Sequence, residues 1–298
     1  MYPSHFRKET IKDLQVNFEL TDYSLPWESR QRETLFMYHG YIRNSLFWQA
    51  WVPLITDQYQ SLRMDARGCG ETSQPPDGYV YTFEQLADDA IALFDHLHMD
   101  KVHWVGESSG GIVGLAVALK YPERLHSLTL CDTPFKRPTH IDKTYTLGEK
   151  DRATAFEKFG IAEWCRKTLS FRLDTNRASK ELCEWYIHQM DKTPIHIANS
   201  IERMIGQGDF WPLLPHIKTP DPPLLLSQKR LSTKSQRLSL SQATLIRENS
   251  FTGLLTRATF RNSPSNICKT AMTGFLATNL EGSSMAWPLP PQHSFSSQ

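Results

Sequence analysis

Five consecutive residues, Gly106-Glu107-Ser108-Ser109-Gly110, carry the pattern G-x-S-x-G. They follow the short apolar run Val102-His103-Trp104-Val105 and precede Ile112 to Leu119, which is almost wholly apolar. The order is therefore strand, turn, helix. A serine at such a turn is lifted to the carboxyl end of its strand with its hydroxyl free to attack. The turn demands small residues on both sides, which Gly106 and Gly110 supply. The helix start directs N–H groups and a positive dipole end at the same spot. Negative charge developing on an attacked carbonyl oxygen would be stabilised there. The chemistry that follows is acyl transfer through Ser108; the plainer reading is a tight turn with a buried serine.

An alternation of strands and helices must position that turn. Leu14, Val16, Phe18 and Leu20 alternate with polar neighbours, the mark of a half-buried strand. Thr34 to Tyr38 is a short apolar run ending at His39-Gly40, and Gln60 to Asp65 reads as another strand. Thr82 to Leu97 is a helix whose apolar face holds Phe83, Leu86, Ala87, Ala90, Leu93, Phe94 and Leu97. Thr82 and Gln85 have capping-box spacing. Pro122 stops the helix after Ser108, and Leu128 to Cys131 is the next strand. From about residue 138 to 212 the rhythm breaks into helical stretches, such as Ala153–Phe159 and Lys180–Met190. Leu224 to Ser227 then resumes the strands. The fold expected is α/β: a mostly parallel sheet flanked by helices, with a helical cap inserted near 138–212.

On these residues the chain resembles the α/β-hydrolase superfamily. His39-Gly40-Tyr41 resembles its H-G-x oxyanion loop, with Trp48 and Trp51 where the next helix often has tryptophan. Asp65-Ala66-Arg67-Gly68-Cys69-Gly70-Glu71-Thr72 is similar to its D-x-R-G-x-G-x-S turn, and Tyr121-Pro122-Glu123-Arg124-Leu125 to its Y-P-E-R-V segment. The resemblance covers roughly residues 14–227. Within the superfamily, the pattern resembles 3-oxoadipate enol-lactonases and related esterases, including hydrolases of fungal secondary-metabolite clusters. It implies Ser108 as nucleophile, with the backbone N–H groups of Tyr41 and Ser109 as oxyanion donors. His39 and Gly40 then belong to the structural frame, since the chain order of the triad is serine, acid, histidine. Serine at 108 argues against dehalogenase or epoxide-hydrolase chemistry, which uses a carboxylate nucleophile. No metal or organic cofactor is implied. The partner implied is a small-molecule ester or lactone carrying an apolar or aromatic part.

The other triad members are harder to find. A serine nucleophile needs a base within hydrogen-bond reach and an acid to orient it. Gln228-Lys229-Arg230 follows the last strand, where the resemblance implies an acid. Asp132, at the end of the strand before the insertion, is the best alternative acid; as a turn or helix cap it would do nothing catalytic. His293 is the one histidine after the last strand, in the Pro-rich Pro290-Pro291-Gln292-His293-Ser294. Such a segment is a poor holder for an imidazole that must sit to within about half an ångström. Three explanations compete: a frameshift, retained intron or mispredicted gene end after Ser227; a truncated copy without catalysis; or a base from His293, His39 or a partner chain. The alternative function is accordingly a catalytically impaired pseudo-hydrolase or ligand-binding protein. Loss of the last strands would uncover one sheet edge, so a marginal, aggregation-prone protein is expected.

Composition divides the 298 residues into two regimes. Residues 1–220 hold 25 Lys and Arg against 29 Asp and Glu; residues 221–298 hold 8 against 3, with 13 Ser and 8 Thr. A body over 1–227 and a Ser/Thr-rich tail of doubtful order over 228–298 are expected. The net charge of +1 gives no basic excess for nucleic acid, and no apolar run reaches the roughly 18 residues a membrane span needs. Five widely spaced cysteines form no metal-ligand pattern and suit a reducing compartment. With no secretory, peroxisomal or transmembrane signal, an intracellular, cytoplasmic location is expected. The oligomeric state is left open. Glu107 is read as solvated or locally hydrogen-bonded, Asp65 and Arg67 as fixing a turn, and His188 and His196 as structural or exposed. Trp164, Trp185, Met190, Met204 and Trp211 are read as packing in the cap.

Overall fold

The computed structural model of the chain describes residues 5–29, 32–136, 143–217, 224–227 and 244–246. Eight strands run in chain order: β1 (Arg7–Ile11), β2 (Leu14–Thr21), β3 (Thr34–Tyr38), β4 (Gln60–Met64), β5 (Val102–Glu107), β6 (Leu125–Cys131), β7 (Leu224–Ser227) and β8 (Thr244–Ile246). They form one sheet in the order β1-β2-β4-β3-β5-β6-β7-β8. β4, β3, β5, β6 and β7 are parallel neighbours, and β1, β2 and β8 join antiparallel. Parallel strands need crossovers, and helices supply them: α1 (Val52–Ile55), α2 (Phe83–His96) and α3 (Ser109–Lys120).

The central strands are buried on both faces, as continuous apolar runs require. β3 shows the division: Phe36 and Tyr38 pack with α2, α3 and Trp104, while Leu35 and Met37 pack with Trp48, Val52 and Ile55 on the other side. The successive Cβ atoms of one strand thereby anchor two layers.

Five features differ from the sequence expectation. β1 carries Arg7, Lys8 and Glu9 and has no apolar alternation; it is an edge strand, where charge is the usual composition. Thr82 does cap α2, accepting from the Gln85 N–H at 3.0 Å, but Gln85 Nε2 donates to Asp89 at 3.2 Å, so the reciprocal half of the box is not made. β6 begins at Leu125 rather than Leu128, and α3 at Ser109 rather than Ile112. The sheet edge expected to be bare beyond β7 is paired with β8 over Leu224–Leu226, inside the stretch read as a tail of doubtful order.

Between β6 and β7 lie α4 (Arg152–Thr168), interrupted at Gly160 where φ is 73°, α5 (Lys180–Asp191) and α6 (Ile195–Gln207). They build a second apolar cluster around Phe156, Trp164, Ile187 and Met190, to which Ile42 and Phe47 of the core contribute. The root of this cap is pinned where it enters and leaves: Lys136 pairs with Asp209 by a β-bridge and a 2.6 Å ion pair, and the Phe210 N–H donates to the Phe135 carbonyl at 2.7 Å. Among the described residues no helix is long and apolar enough to cross a membrane, and no three His, Cys, Asp or Glu side chains converge as a metal cluster would.

Candidate active site at the end of strands five and six

Ser108 follows the last residue of β5 with φ 52° and ψ −119°, and α3 starts at the next residue. That backbone region disfavours a side chain. The neighbours enforce it. The Ser108 N–H donates across to the Cys131 carbonyl at 2.9 Å, and the Ser108 carbonyl accepts from Gly111 N–H at 3.0 Å. A Cβ on Gly106 would collide with the Gly110 carbonyl. One on Gly110 would lie 2.5 Å from the carbonyl oxygens of both Tyr38 and His39. The two glycines are thus what lets the elbow fold tightly against β3. Ser108 is half-buried, and Ser109 behind it is buried.

The loop after β3 brings Gly40 and Tyr41 alongside. His39 is buried and both ring nitrogens are engaged: Nε2 accepts from the Ala66 N–H at 2.9 Å, and Nδ1 lies 2.8 Å from the Gly40 carbonyl. Nε2 as acceptor requires the proton on Nδ1, which therefore donates to Gly40. Burial lowers the pKa of this imidazole, against the partial opposition of Asp65. This ring joins two loops and has no lone pair left for Ser108. Asp65 lies below it and accepts from Asn17 Nδ2 (2.8 Å), Ser45 N–H (2.7 Å), Ser45 Oγ (2.5 Å) and Glu71 N–H (2.8 Å). Arg67 makes paired bonds to Asp89 at 2.9 and 2.7 Å.

Of the two readings of Glu107, solvated or locally bonded, its burial excludes the first. Glu107 pairs with Arg43, its Oε2 2.9 Å from Arg43 Nη1. Arg43 Nη2 donates to Tyr186 Oη of α5 at 2.7 Å, and its guanidinium lies over the rings of Phe47 and Tyr186. Burial opposes the Arg43 charge, but the Glu107 carboxylate and Tyr186 more than offset it, and the group titrates above its ordinary value. Neither Arg43 nor Tyr186 was a sequence candidate. The one signal is an arginine two residues after H-G-x, in the short segment before Leu46-Phe47-Trp48.

Asp132 directly follows β6 with φ 49°, and is half-buried. The register pairs Glu107 with Cys131, so Asp132 stands beside Ser108 in the next strand. His293, the sequence candidate for the base, lies outside the described residues, as does most of the 228–298 tail. Among the described residues no histidine nitrogen hydrogen-bonds Ser108 Oγ. Of the cap residues, Trp164 is buried and its Nε1 donates to the Tyr145 carbonyl at 2.7 Å, Met190 and Met204 are buried, and Trp211 is exposed against Phe135. His188 and His196 are exposed.

A family description, the alpha/beta hydrolase fold, matches residues 33–163. The "Uncharacterized hydrolase YugF" of Bacillus subtilis is 27% identical over 138 residues, 46% of this chain and 48% of that protein. The "3-oxoadipate enol-lactonase 2" of Acinetobacter baylyi is 29% identical over 133 residues, 44% of this chain and 47% of that protein. The chain thus spans about half the length of these curated relatives. Among solved structures, an enol-lactonase from Burkholderia xenovorans LB400 superposes with a TM-score of 0.63 at 20% identity, covering 74% of this chain and 80% of that one.

Proposed function

The chain is a member of the α/β-hydrolase superfamily, and from that premise we propose that it is a serine hydrolase of a small ester or lactone. Ser108 Oγ attacks the acyl carbon, and the carbonyl π pair moves onto oxygen. The N–H groups of Tyr41 and Ser109 hold that oxyanion; losing one such donor typically costs about 3–4 kcal/mol of barrier. The Oγ proton goes to a base and then to the leaving oxygen as the C–O bond breaks. Water cleaves the acyl-serine and restores Ser108. Asp132 is the proposed orienting acid, and His293 the proposed base.

The observation that carries this reading is the backbone of Ser108, φ 52° and ψ −119°, kept at a βα turn between two glycines that admit no side chain. A serine held in such strain by its surroundings is the signature of a site rather than of packing. The apolar, tryptophan-containing cap supports a substrate with an apolar or aromatic part. A second reading, an impaired hydrolase or ligand-binding protein, is favoured by His39, whose two nitrogens are already bonded elsewhere.

Labelling the full chain with a fluorophosphonate, read by intact mass, separates the two. Stoichiometric labelling lost in Ser108→Ala supports the hydrolase; its further loss in His293→Gln and Asp132→Asn assigns base and acid. No labelling of the folded chain supports the second reading.

A further inference from the structure

Four consecutive residues beside the candidate nucleophile are each bonded to the cap. Tyr41 Oη donates to the Ala198 carbonyl at 3.0 Å, and Thr193 Oγ1 donates to the Ile42 carbonyl at 3.4 Å. Arg43 Nη2 donates to Tyr186 Oη at 2.7 Å, and Asn44 Nδ2 to Gln189 Oε1 at 3.0 Å. Phe47 then stacks edge-on against Tyr186, ring centroids 4.9 Å apart. The loop that offers the Tyr41 N–H is therefore built on α5 and α6 as much as on the sheet.

One ionic contact joins this loop to the elbow. Arg43 Nη1 sits 2.9 Å from Glu107, whose side chain presses on Gly40 so closely that a Cβ there would collide with Oε2. The two side chains are 5% and 8% exposed. A buried ion pair adds little net stability over apolar residues of the same size, so stability alone does not explain it. Its geometry does more. The guanidinium is a rigid fork whose two Nη atoms serve different elements, Glu107 beside Ser108 and Tyr186 in the cap. A lysine ammonium, a single point charge on a flexible stem, cannot hold both.

We infer that Arg43 is a positioning residue. It fixes the spacing between the Tyr41 N–H and Ser108 and ties that spacing to the seating of α5 through Tyr186. The inference rests on the reading of Ser108 as nucleophile and Tyr41 N–H as oxyanion donor. A misplacement of about 1 Å between such groups costs on the order of 10²-fold in rate. The cap accordingly governs the chemical step as well as access to it.

The test uses the full chain, Tyr186→Phe and Arg43→Lys, with Arg43→Met as a third variant if it folds. Two readouts are taken: the fluorophosphonate labelling rate at Ser108, and amide hydrogen exchange of peptides covering 38–47 and 104–112. Tyr186→Phe removes one hydroxyl from the cap and touches neither Ser108 nor Tyr41. It is expected to slow labelling about tenfold, the scale of one hydrogen bond to a charged group. It should also speed exchange in both peptides, and Arg43→Lys should show the same two effects. Exchange unchanged in both peptides of Tyr186→Phe, or labelling at the wild-type rate in Arg43→Lys, overturns the inference while leaving the nucleophile intact. If the unmodified chain does not label, the hydrolase reading fails, and the 104–112 exchange rate in Tyr186→Phe still decides whether cap and elbow are coupled.

Discussion

Ser108 and Asp132 occupy equivalent places on adjacent parallel strands. Each is the first residue after a register pair, Glu107 with Cys131, and each turns into the left-handed region, φ 52° and 49°. The Ser108 N–H closes the pair by donating to the Cys131 carbonyl at 2.9 Å. Both side chains are thereby delivered to the carboxyl end of the sheet, the place where open α/β sheets bind ligands. For Ser108 the conformation costs on the order of 1–3 kcal/mol. Glycine adopts positive φ without that strain but loses about 0.5–1 kcal/mol of backbone entropy on folding. Ser108→Gly is therefore expected to be more stable than both the unmodified chain and Ser108→Ala, by about 1 kcal/mol. Denaturant midpoints of the three proteins check this, and equal midpoints would remove strain from the account of the elbow.

Gly110 is expected to be the least tolerant position in the motif. An added Cβ would sit 2.5 Å from the backbone carbonyl oxygens of Tyr38, the last residue of β3, and His39 after it, which no rotamer change can relieve. Gly110→Ala should lose at least the 1–3 kcal/mol typical of overpacking, and its loss should exceed that of Gly78→Ala, where nothing lies within 4 Å. Gly78 itself has φ 78°, so that control already contains the backbone penalty of an L-residue. Thermal melts of the two variants give the comparison.

Asp65 anchors the floor of the site through four donated hydrogen bonds from Asn17, Ser45 and Glu71. Asparagine keeps the shape but turns one acceptor into a donor facing other donors. Leaving buried donors unsatisfied costs about 1–3 kcal/mol each. Asp65→Asn should lose at least about 2 kcal/mol and loosen the His39–Ala66 contact beside it. A chemical-denaturation curve measures the first effect, and exchange protection of the Ala66 amide the second.

Much of this arrangement is legible in the residues. β3 and β7 start and stop where short apolar runs meet turn signals, and α2 follows its apolar face from the Thr82 cap. The elbow is legible because glycine, serine and the flanking strand and helix all point to one geometry. β1 is not, since an edge strand buries little and its charges hide the period of two. α6 is legible in the same way as α2, since Ile197, Ala198, Ile201 and Met204 recur at the spacing of one helical face with polar residues between them. The Arg43–Glu107–Tyr186 connection is the hardest to see. Each member reads as surface or packing by type, and only the fold brings residues 43, 107 and 186 into contact.

Stability is expected to fall on mild acidification, before any carboxylate titrates. Burial lowers the pKa of His39, with Arg43 adding to the effect and Asp65 opposing it. Burial also lowers that of His126, helped by His103 and opposed by Glu33. A histidine whose folded pKa lies below its unfolded value of about 6.5 holds fewer protons in the folded chain than in the unfolded one. As pH drops from about 6.5 towards the folded pKa, the unfolded state gains protons and stability is lost. It is fully retained above about 6.5, where both states are neutral. For His39 the loss reaches at most about 1.4 kcal/mol per pH unit. His126 is partly solvated and contributes less. Protonating His39 also breaks its acceptor bond from the Ala66 N–H, which gives the titration a structural readout. Urea midpoints between pH 7.5 and 5.5 should fall, and Ala66 amide protection should fall with them. A midpoint that stays level or rises across that interval would show that neither imidazole is held neutral by the fold.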